Sequence, residues 1–428
     1  MKAVVVGGGR MGLPLACLLA ENGAQVTVCD TNPAVVAAIN RGAAPYEEPG
    51  LAERLIAGRD AARLDATSDT AAATAGADTV IIIVPAHLAP NRDIDYSILE
   101  SASADVGKGL RKGTLVSFET TVAVGGTRGV LAPVLEKHSG LEAGADFKVA
   151  FSPERVKANR VFEKLQETPK IVGGYNDASA EAAAAFYRTY LGAPIINVKT
   201  LEAAEFAKLA GMVYRDVNIA LANELAAYGE TLGLDFAAVR RAANTNGEAN
   251  LLLPGVGVGG HCTPLYPYFL VQDAVRKGVP QALATAARDI NDRQPARNIE
   301  RLQTYWGPIA GKRVHVMGLA FRPDVKVEVL SSAYSLKNAL FAGEAIVTLE
   351  DPLYSDDELR ARGFEPARVG RDPLDAVILN TAHTAFKGPD FALWRSTGLE
   401  VVLDGRDCWD RGVVEAAGLM YLGVGKGA

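Results

Sequence analysis

The chain has 428 residues, which is more than one hydrophobic core usually serves, so two or three domains are expected. Hydrophobic residues make up 49% of the chain, charged residues make up 22%, and the formal net charge is −6, as in an ordinary soluble globular protein. No apolar run approaches the roughly 18 residues of a membrane span, and no cluster of Lys and Arg supplies a basic stripe, which argues against a membrane and a nucleic acid as partners.

The N-terminal region alternates short β-branched runs with Ala-rich amphipathic stretches. The apolar runs predict strands at 3–6, 26–30, 79–84, 114–119, 147–152 and 194–198. Strands that are apolar on both faces and separated by helices indicate a doubly wound parallel sheet. We therefore predict a Rossmann-like domain over residues 1–199.

A helical pattern begins at Leu201 and replaces the strand signals. One helix is predicted to run to about Leu232, and helical sequence continues to about Trp306; a helix of this length bridges domains or builds a dimer interface. Strand signals return at 312–319, 344–352, 375–380 and 400–406. The predicted fold class is α/β: two Rossmann-like doubly wound parallel-sheet domains, 1–199 and 307–428, joined by a helical middle, 200–306, with one long central helix.

The segment "VVVGGGRMG" places Gly7, Gly9 and Gly12 in G-x-G-x-x-G spacing between a predicted strand and a predicted helix. Such glycines allow a tight turn and let backbone N–H groups at a helix N-terminus approach a pyrophosphate. A second strand ends in Asp30, whose carboxylate is placed to accept from the adenosine ribose hydroxyls and to repel a 2′-phosphate. The pattern predicts a dinucleotide site that prefers NAD to NADP.

The four cysteines are widely spaced and include no C-x-x-C pair, so the sequence predicts no metal site. They are Cys17, Cys29, Cys262 and Cys408. The apolar stretch at the N-terminus is too short for a signal-peptide core and leads directly into a strand. We therefore expect a reducing, cytoplasmic location and a small-molecule partner.

Collinear motifs along nearly the whole chain resemble the UDP-glucose/GDP-mannose dehydrogenase family, the nucleotide-sugar 6-dehydrogenases, and within it the UDP-N-acetylmannosamine type. The matching segments are "GGGRMGLPLA", "EEPGL", "ETTV", "SPERV", "KIVGG", "AAEFAKL", "YRDVNIALANEL", "PGVGVGGHC", "GLAFRPD", "EDP", "TAHTAF" and "VLDGR". The resemblance implies an N-terminal NAD domain, a homodimer through the long central helix, and a C-terminal domain for the nucleotide end of the substrate. It also implies that a C6 primary alcohol is oxidised twice, giving a uronate and two NADH.

Cys262, at the end of "PGVGVGGHC", is the residue that such a reaction needs as a nucleophile. An aldehyde must become tetrahedral before it gives up a second hydride, and a thiolate that adds to it forms a hemithioacetal and then a thioester. The alternative is a small apolar cysteine buried in a glycine turn. His261 beside it is better explained as a structural or supporting residue than as the base.

The resemblance also assigns roles to residues at matching positions. Thr121 and Glu154 are implied to handle water or protons, and Lys208 to stabilise an oxyanion; alternatively, Glu154 caps or pairs with Arg155, and Lys208 is a solvated helix residue. The predicted catalytic set is Cys262, Lys208, Glu154 and Thr121. The predicted cofactor-binding set is Gly7, Gly9, Arg10, Met11, Gly12, Asp30, Val84, Pro85 and Thr121. The predicted substrate-binding set is Glu154, Arg155, Lys208, Arg215, Asn250, Gly257, Gly259, Arg322 and Arg406.

Departures from the family pattern fall at positions that the resemblance implies take part in the reaction or in binding. Tyr266 stands where the family has an aspartate that helps to activate water, and Met212 stands where it has an asparagine. Glu248 replaces an arginine expected near the substrate diphosphate, whereas Arg406 and Lys170 still suggest an anionic ligand. The further changes, around the cofactor and the C-terminal motif, are Val35, Ala86, Arg322 and Val329.

Three functions remain open at this point. The first is a four-electron NAD-dependent oxidation of a nucleotide-linked sugar or related alcohol through Cys262. The second stops at two electrons, or is redox-neutral as in an epimerisation or dehydration, with Tyr266 as an acid or base. The third is a non-catalytic homologue that binds nucleotide or NAD.

Overall fold

The computed structural model describes residues 1–156 and 159–427, and the chain divides into two compact units. Unit 1 consists of Met1–Gly211 and Tyr268–Val279, and unit 2 consists of Met212–Pro267 and Pro280–Ala428. None of the described helices combines the length and the apolar character needed to cross a lipid bilayer. The three-domain division at residues 199 and 306 stays a prediction.

Unit 1 is built on a parallel sheet. Its strands are β1 (Lys2–Val6), β2 (Gln25–Cys29), β3 (Leu64–Thr67), β4 (Thr79–Ile82), β5 (His87–Leu88), β6 (Ile94–Asp95), β7 (Leu115–Phe118), β8 (Lys148–Phe151), β9 (Lys170–Gly174) and β10 (Ile195–Thr200). Eight of them form one sheet in the order β10-β9-β8-β7-β4-β1-β2-β3, in which only β8 and β9 pair antiparallel. β5 and β6 form a separate antiparallel pair. The predicted doubly wound parallel sheet is confirmed.

The described part of unit 1 before α9 has eight α-helices. They are α1 (Gly12–Glu21), α2 (Pro33–Asn40), α3 (Leu51–Asp60), α4 (Thr70–Ala75), α5 (Ser97–Gly109), α6 (Ala132–Ser139), α7 (Val161–Glu167) and α8 (Asp177–Tyr190). Side-chain caps set several of their starts, since the side chains of Asn32, Asp69 and Asn176 each accept from a backbone N–H of the first turn. Helix α1 is apolar nearly all round and packs within the core of the unit.

The helical region begins with α9 (Leu201–Thr231), a helix of 31 residues in which the boundary between the two units falls. It is followed by α10 (Phe236–Ala243), α11 (Tyr266–Arg276) and α12 (Ala282–Trp306). The single long helix expected from the sequence is confirmed to within one residue. In unit 2, buried polar side chains of α9 and α12 bond to each other.

A second parallel sheet forms the rest of unit 2. Its strands are β11 (Arg313–Met317), β12 (Ile346–Glu350), β13 (Glu365–Pro366), β14 (Ala376–Leu379), β15 (Val401–Asp404) and β16 (Met420–Gly423), in the order β13-β12-β11-β14-β15-β16. Its helices are α13 (Ser332–Ala342), α14 (Asp356–Ala361), α15 (Phe391–Ser396) and α16 (Arg411–Ala416). Both faces of the sheet are buried, because Val316 and Met317, neighbours on β11, belong to two different apolar clusters.

Several strands were not predicted, for two physical reasons. β3 and β13 are edge strands that are only partly buried, so their apolar signal is weak. β16 is also an edge strand, and although Tyr421 and Leu422 are buried, its apolar run is very short. β9 lies inside the sheet but ends in Gly173 and Gly174, and glycine is depleted in strands. The glycine is required there because a Cβ at Gly173 would lie 1.9 Å from the Thr200 carbonyl oxygen.

Candidate functional site

The carboxyl edge of the first sheet carries the residues predicted for the cofactor. The strand order reverses between β1 and β4, and a ligand crevice forms at such a reversal. Residues 7–12 follow β1, Val84 and Pro85 follow β4, Thr121 follows β7, and Glu154 follows β8. Because these four strands are consecutive and parallel, the predicted residues lie along one edge of unit 1.

The glycine loop has the shape that a pyrophosphate needs. Gly7 has a φ of +113°, and a Cβ at Gly12 would lie 1.9 Å from the Gly7 carbonyl oxygen, so α1 packs against the turn only without a side chain. Gly9 is exposed, and a Cβ there would meet nothing within 4 Å. The loop therefore leaves open space above Gly9 at the N-terminus of α1, which fits the diphosphate of a dinucleotide.

Asp30 and Tyr46 hold this loop. Asp30 Oδ2 accepts from the Gly8 N–H at 2.8 Å and keeps lone pairs for a ribose hydroxyl. The Tyr46 hydroxyl donates to the Gly9 carbonyl oxygen at 2.8 Å, and burial raises its pKa, so it remains a donor at neutral pH. Its ring lies 5.2 Å from the Arg10 guanidinium carbon. Sequence reasoning missed Tyr46, for which the only signal is an aromatic residue just before "EEPGL".

The other predicted cofactor residues differ in exposure. Met11 packs partly against the core, Pro85 is exposed, and Thr121 is buried. The Val84 carbonyl oxygen accepts from the Thr120 hydroxyl at 2.5 Å, which joins the ends of β4 and β7. Their roles toward NAD stay predictions.

Lys208 and Glu154 meet in unit 1. The Lys208 side chain is only 5% exposed, and its Nζ donates to the Glu154 backbone oxygen at 2.5 Å, so it is not a solvated surface lysine. The Glu154 carboxylate accepts from the Val156 N–H, whereas Arg155 donates to the Pro169 carbonyl oxygen. Burial raises the pKa of Glu154, and the positive charge of Lys208 offsets part of that shift. A carboxyl with a raised pKa beside an ammonium group suits proton transfer.

Two buried carboxylates fix the surroundings of this pair. Glu205, one turn before Lys208 on α9, accepts from the N–H groups of Gly125 at 2.6 Å and Thr127 at 2.9 Å. Glu119 accepts from Lys170 Nζ at 2.6 Å and from the Tyr187 hydroxyl at 2.7 Å. The expectation that Lys170 marks an anionic ligand is therefore corrected, since its charge is neutralised by Glu119 inside the protein.

Cys262 lies in unit 2 and is exposed, which excludes the buried apolar alternative. Its carbonyl oxygen accepts from the Tyr266 N–H at 3.0 Å, so the residue stands directly at the start of α11. The N-terminus of a helix favours negative charge nearby, as a thiolate requires. The position is therefore suitable for a nucleophile.

The glycines before Cys262 are required by close packing. A Cβ at Gly257 would lie 2.5 Å from the Ser332 Cβ, and one at Gly259 would lie 2.8 Å from the Phe321 Cβ. Gly260 has a φ of +100°, and a Cβ there would lie 2.7 Å from the Phe321 ring. Residues 254–263 are called the cysteine loop. These contacts fix its backbone. The substrate roles of Gly257 and Gly259 stay predictions.

His261 and Tyr266 form a pair beside the cysteine. The Tyr266 hydroxyl and His261 Nδ1 are 3.1 Å apart, and the two rings meet edge to face. Tyr266 is buried, so the position of the family's aspartate is occupied by an aromatic ring inside the protein. His261 thus supports Tyr266, in line with the structural role expected for it.

The carboxyl edge of the second sheet presents Arg406. It follows β15, and its Nε donates to the Asn380 carbonyl oxygen at 2.6 Å. A Cβ at Gly255 would lie 2.6 Å from Arg406 Nη1, so the cysteine loop crosses this edge. Arg322 follows β11 at the same edge and is half-buried. Two cationic side chains therefore lie at this edge, near the reversal between β11 and β14, with the Asp404 carboxylate close to Arg406. Cations at this place suit an anionic nucleotide.

The remaining predicted substrate residues lie at the surface of unit 2. Arg215 is exposed on α9, and Asn250 is exposed with its carbonyl oxygen accepting from Asn218 Nδ2 at 2.7 Å. Glu248 is exposed, and its N–H donates to Asn246 Oδ1 at 3.0 Å. Solvent and salt therefore screen the Glu248 charge that the sequence places near the diphosphate.

One cysteine is expected to react with iodoacetamide far faster than the others. Burial raises the pKa of both Cys17 and Cys29 to about 12, whereas Cys262 is exposed at a helix start. Peptide mass mapping after a short pulse at pH 7.5 should show carbamidomethyl first on Cys262. Labelling of Cys17 or Cys29 at an equal rate would contradict the described burial.

Three family profiles match the chain in succession. They are those of the UDP-glucose/GDP-mannose dehydrogenase family: the NAD binding domain over residues 1–191, the central domain over 202–293 and the UDP binding domain over 315–411. The UDP-N-acetyl-D-mannosamine dehydrogenase of Pyrococcus horikoshii is 32% identical over 433 residues, with both chains fully covered. The UDP-N-acetyl-D-glucosamine 6-dehydrogenase of Pseudomonas aeruginosa is 31% identical, over 90% of this chain and 92% of its own.

Solved structures agree with these matches. The structure of the Pyrococcus horikoshii UDP-D-ManNAc dehydrogenase is similar with a TM-score of 0.90 at 31% identity, over the full length of both chains. A UDP-glucose dehydrogenase from Pyrobaculum islandicum is similar with a TM-score of 0.89 at 26% identity, over 99% of this chain and 98% of its own. The similarity therefore extends over both units.

Proposed function

Because this chain belongs to the UDP-glucose/GDP-mannose dehydrogenase family, we propose that it oxidises the C6 alcohol of a UDP-linked N-acetylhexosamine to a carboxylate, with Cys262 as its covalent residue. It is an NAD-dependent nucleotide-sugar dehydrogenase, an oxidoreductase acting on CH–OH groups. The N-acetylhexosamine is inferred from relatives that are named for it. The single observation that carries the Cys262 role is an exposed cysteine at the start of α11, on a loop fixed by close packing.

The first sheet supplies the cofactor residues of this proposal. Bound NAD would accept the hydride lost from the sugar carbon in each oxidation. Gly9 leaves room for its diphosphate, Asp30 offers oxygens to its ribose, and Tyr46 holds the loop between them. The residues therefore fit the cofactor.

Lys208 and Glu154 handle charge and protons in the proposed reaction. The Lys208 ammonium stabilises negative charge on the C6 oxygen while the alcohol is oxidised. The Cys262 thiolate then adds to the aldehyde carbon, the C=O electron pair moves onto the C6 oxygen, and loss of a second hydride from this hemithioacetal gives a thioester. A water molecule attacks the thioester carbon, the C–S bond breaks with the sulfur leaving as thiolate, and the acid is released. Glu154 accepts the proton that this water loses.

Counting NADH per product tests the proposed function. We expect two NADH for each UDP-N-acetylhexosaminuronate, measured by absorbance at 340 nm together with mass spectrometry of the product. One NADH with an aldehyde, or a product of unchanged oxidation level, would replace the proposal by the two-electron or redox-neutral function. Binding of NAD and UDP-sugar without turnover would replace it by the non-catalytic one.

A specific contact supports the two-electron function as the second candidate. Tyr266 occupies the place of the family's water-activating aspartate, and its hydroxyl is 3.1 Å from His261 Nδ1. A phenol paired with an imidazole is a weaker activator of water than a carboxylate, so hydrolysis of the thioester is the step that this replacement would slow.

The pH dependence of turnover should reveal Glu154. A raised pKa means that the Glu154 carboxylate becomes protonated at a higher pH than an ordinary glutamate, so activity should begin to fall on the acid side at a higher pH than an ordinary glutamate would impose. Glu154→Gln should lower kcat by about 100-fold or more and remove that acid limb. The exposed Glu167→Gln serves as the control and should keep the wild-type profile. An unchanged acid limb in Glu154→Gln would assign the titration to another group.

The proposal includes a homodimer through α9. Exposed apolar side chains recur along one face of this helix, at Tyr214, Leu221, Leu225 and Tyr228, the last of them 64% exposed. A stripe of this kind is typical of a protein interface. Light scattering should therefore give twice the mass of one chain.

The proposed location is the cytoplasm, where NAD and nucleotide sugars are available.

A further inference from the structure

An arginine buried in unit 2 reaches the backbone next to Cys262. Arg288, on α12, is 1% exposed. Its Nη1 donates to Asp216 Oδ1 on α9 at 2.6 Å and to the Thr263 carbonyl oxygen at 3.2 Å, and its Nη2 donates to Asp292. Thr263 directly follows Cys262, so one guanidinium joins two helices to the cysteine loop.

The same network holds the other end of the loop. Asn291 Nδ2 donates to Asp216 Oδ1 at 2.8 Å, and Asn291 Oδ1 accepts from Asn223 Nδ2 at 2.9 Å. Asn223 Oδ1 in turn accepts from the Gly255 N–H at 3.0 Å. Arg288, Asp216, Asn223 and Asn291 are all buried, whereas Asp292 is exposed. The loop is therefore tied at residue 255 and at residue 263 to one continuous set of hydrogen bonds between α9 and α12.

Stability alone is a poor reason for this arrangement. A buried ion pair is often no more stabilising than apolar residues of the same size, because both charges lose their hydration. The loop contains Gly255, Gly257, Gly259 and Gly260, and glycine loses more backbone freedom on ordering than any other residue. Fixed attachments at both ends remove that freedom where a reacting sulfur needs a defined position.

We propose that Arg288, Asp216 and Asn223 are positioning residues that set the place of the Cys262 sulfur through the backbone at Thr263 and Gly255. The proposal deepens the assigned chemistry and rests on Cys262 being the nucleophile. Arg288 acts on kcat rather than on the binding of either ligand. Its planar fork is needed because it bonds a carboxylate and a carbonyl at once, which the single ammonium of lysine does with different geometry.

A second acid–arginine contact between the same two helices provides the matched control. Glu230 on α9 pairs with Arg297 on α12, and it accepts from the Gly425 N–H at 2.8 Å. These hydrogen bonds join α9 and α12 to the C-terminal segment, and none of the described ones goes to a backbone group of the cysteine loop. Arg297→Lys therefore repeats the chemical change of Arg288→Lys at a second pair between α9 and α12, one in which the arginine is 32% exposed instead of 1%.

The experiment compares Arg288→Lys with Arg297→Lys in the full-length protein. We expect Arg288→Lys to lower kcat by about 10- to 100-fold, the scale of a misplaced reacting group, with KM for NAD and for UDP-N-acetylmannosamine within about twofold of wild type. The rate at which iodoacetamide alkylates Cys262, followed from pH 6 to 9, should change at least threefold. Arg297→Lys should leave both readouts at wild-type values. Equal behaviour of the two variants overturns the proposal.

Two further variants keep the test decisive. If Arg288→Lys does not fold, Asn223→Ala, which frees the Gly255 end and leaves the ion pair in place, is judged by the same two readouts. No change in either readout then overturns the proposal. Uronate formation by Cys262→Ser would refute the covalent role of Cys262 and would say nothing about Arg288. Alkylation of Cys262 in the Arg288 and Asn223 variants requires no turnover, so it would still test whether these residues position the sulfur.

Discussion

Cys262→Ser is expected to lower the rate of uronate formation by at least about 1,000-fold while NAD and substrate still bind. A serine hydroxyl is far less acidic than a thiol, so it seldom presents the anion that must add to the aldehyde carbon. The first oxidation does not need this bond, and its product should therefore accumulate. Mass spectrometry that separates aldehyde from acid, together with the NADH yield, measures the effect.

The control for this variant is Cys408→Ser. Cys408 is a partly buried cysteine of unit 2 and follows β15 rather than the cysteine loop. It should retain the wild-type yield of acid. Four-electron oxidation at the native rate by Cys262→Ser would remove Cys262 from the proposed chemistry. Water would then have to add directly to the aldehyde carbon.

Gly9→Ala and Gly12→Ala are expected to separate cofactor binding from folding. A methyl group at Gly9 enters open space, so the chain should fold normally, but the methyl occupies the room left for the diphosphate. The Kd for NAD should rise at least tenfold, which corresponds to about 1.4 kcal/mol of binding free energy. Isothermal calorimetry with NAD and a thermal melt of the apoprotein give the two quantities.

Gly12→Ala should instead damage the fold of unit 1. Its methyl carbon would overlap the Gly7 carbonyl oxygen, at 1.9 Å, so α1 must move away from the turn. Overpacking of this kind lowers the free energy of unfolding by about 1–3 kcal/mol. A melting temperature of Gly12→Ala equal to that of Gly9→Ala would contradict the close packing described for the loop.

Much of the fold could be predicted because its signals are local. The strands that are buried on both faces are recognised from a continuous apolar run, and the 31-residue helix is recognised from apolar residues at helical spacing. Each signal lies within one stretch of sequence. The Gly7, Gly9 and Gly12 spacing and the position of Asp30 likewise follow from neighbouring residues. The structure adds the reason for each glycine, such as the contact between Gly12 and the Gly7 carbonyl.

The contacts that position the candidate site could not be predicted, because they join distant parts of the chain. Tyr46 reaches Gly9 across 37 residues, and Arg288 reaches Asp216 across 72. A lysine in "KIVGG" gives no sign that Glu119 neutralises it, so the ligand role assigned to Lys170 was wrong. Partners of this kind depend on which strands and helices become neighbours, and a single sequence does not state that.

The close packing at Gly257, Gly259 and Gly260 has a consequence for altering substrate choice by directed evolution. Nearly any side chain at these positions collides with Ser332 or Phe321, so randomising them would fill a library with unfolded variants. Glu248 and Val329 are exposed, so a new side chain at either position is expected to be accommodated. A productive library would keep the cysteine loop invariant and diversify Glu248 for substrate choice and Val329 for the cofactor side, leaving the reactive sulfur in place.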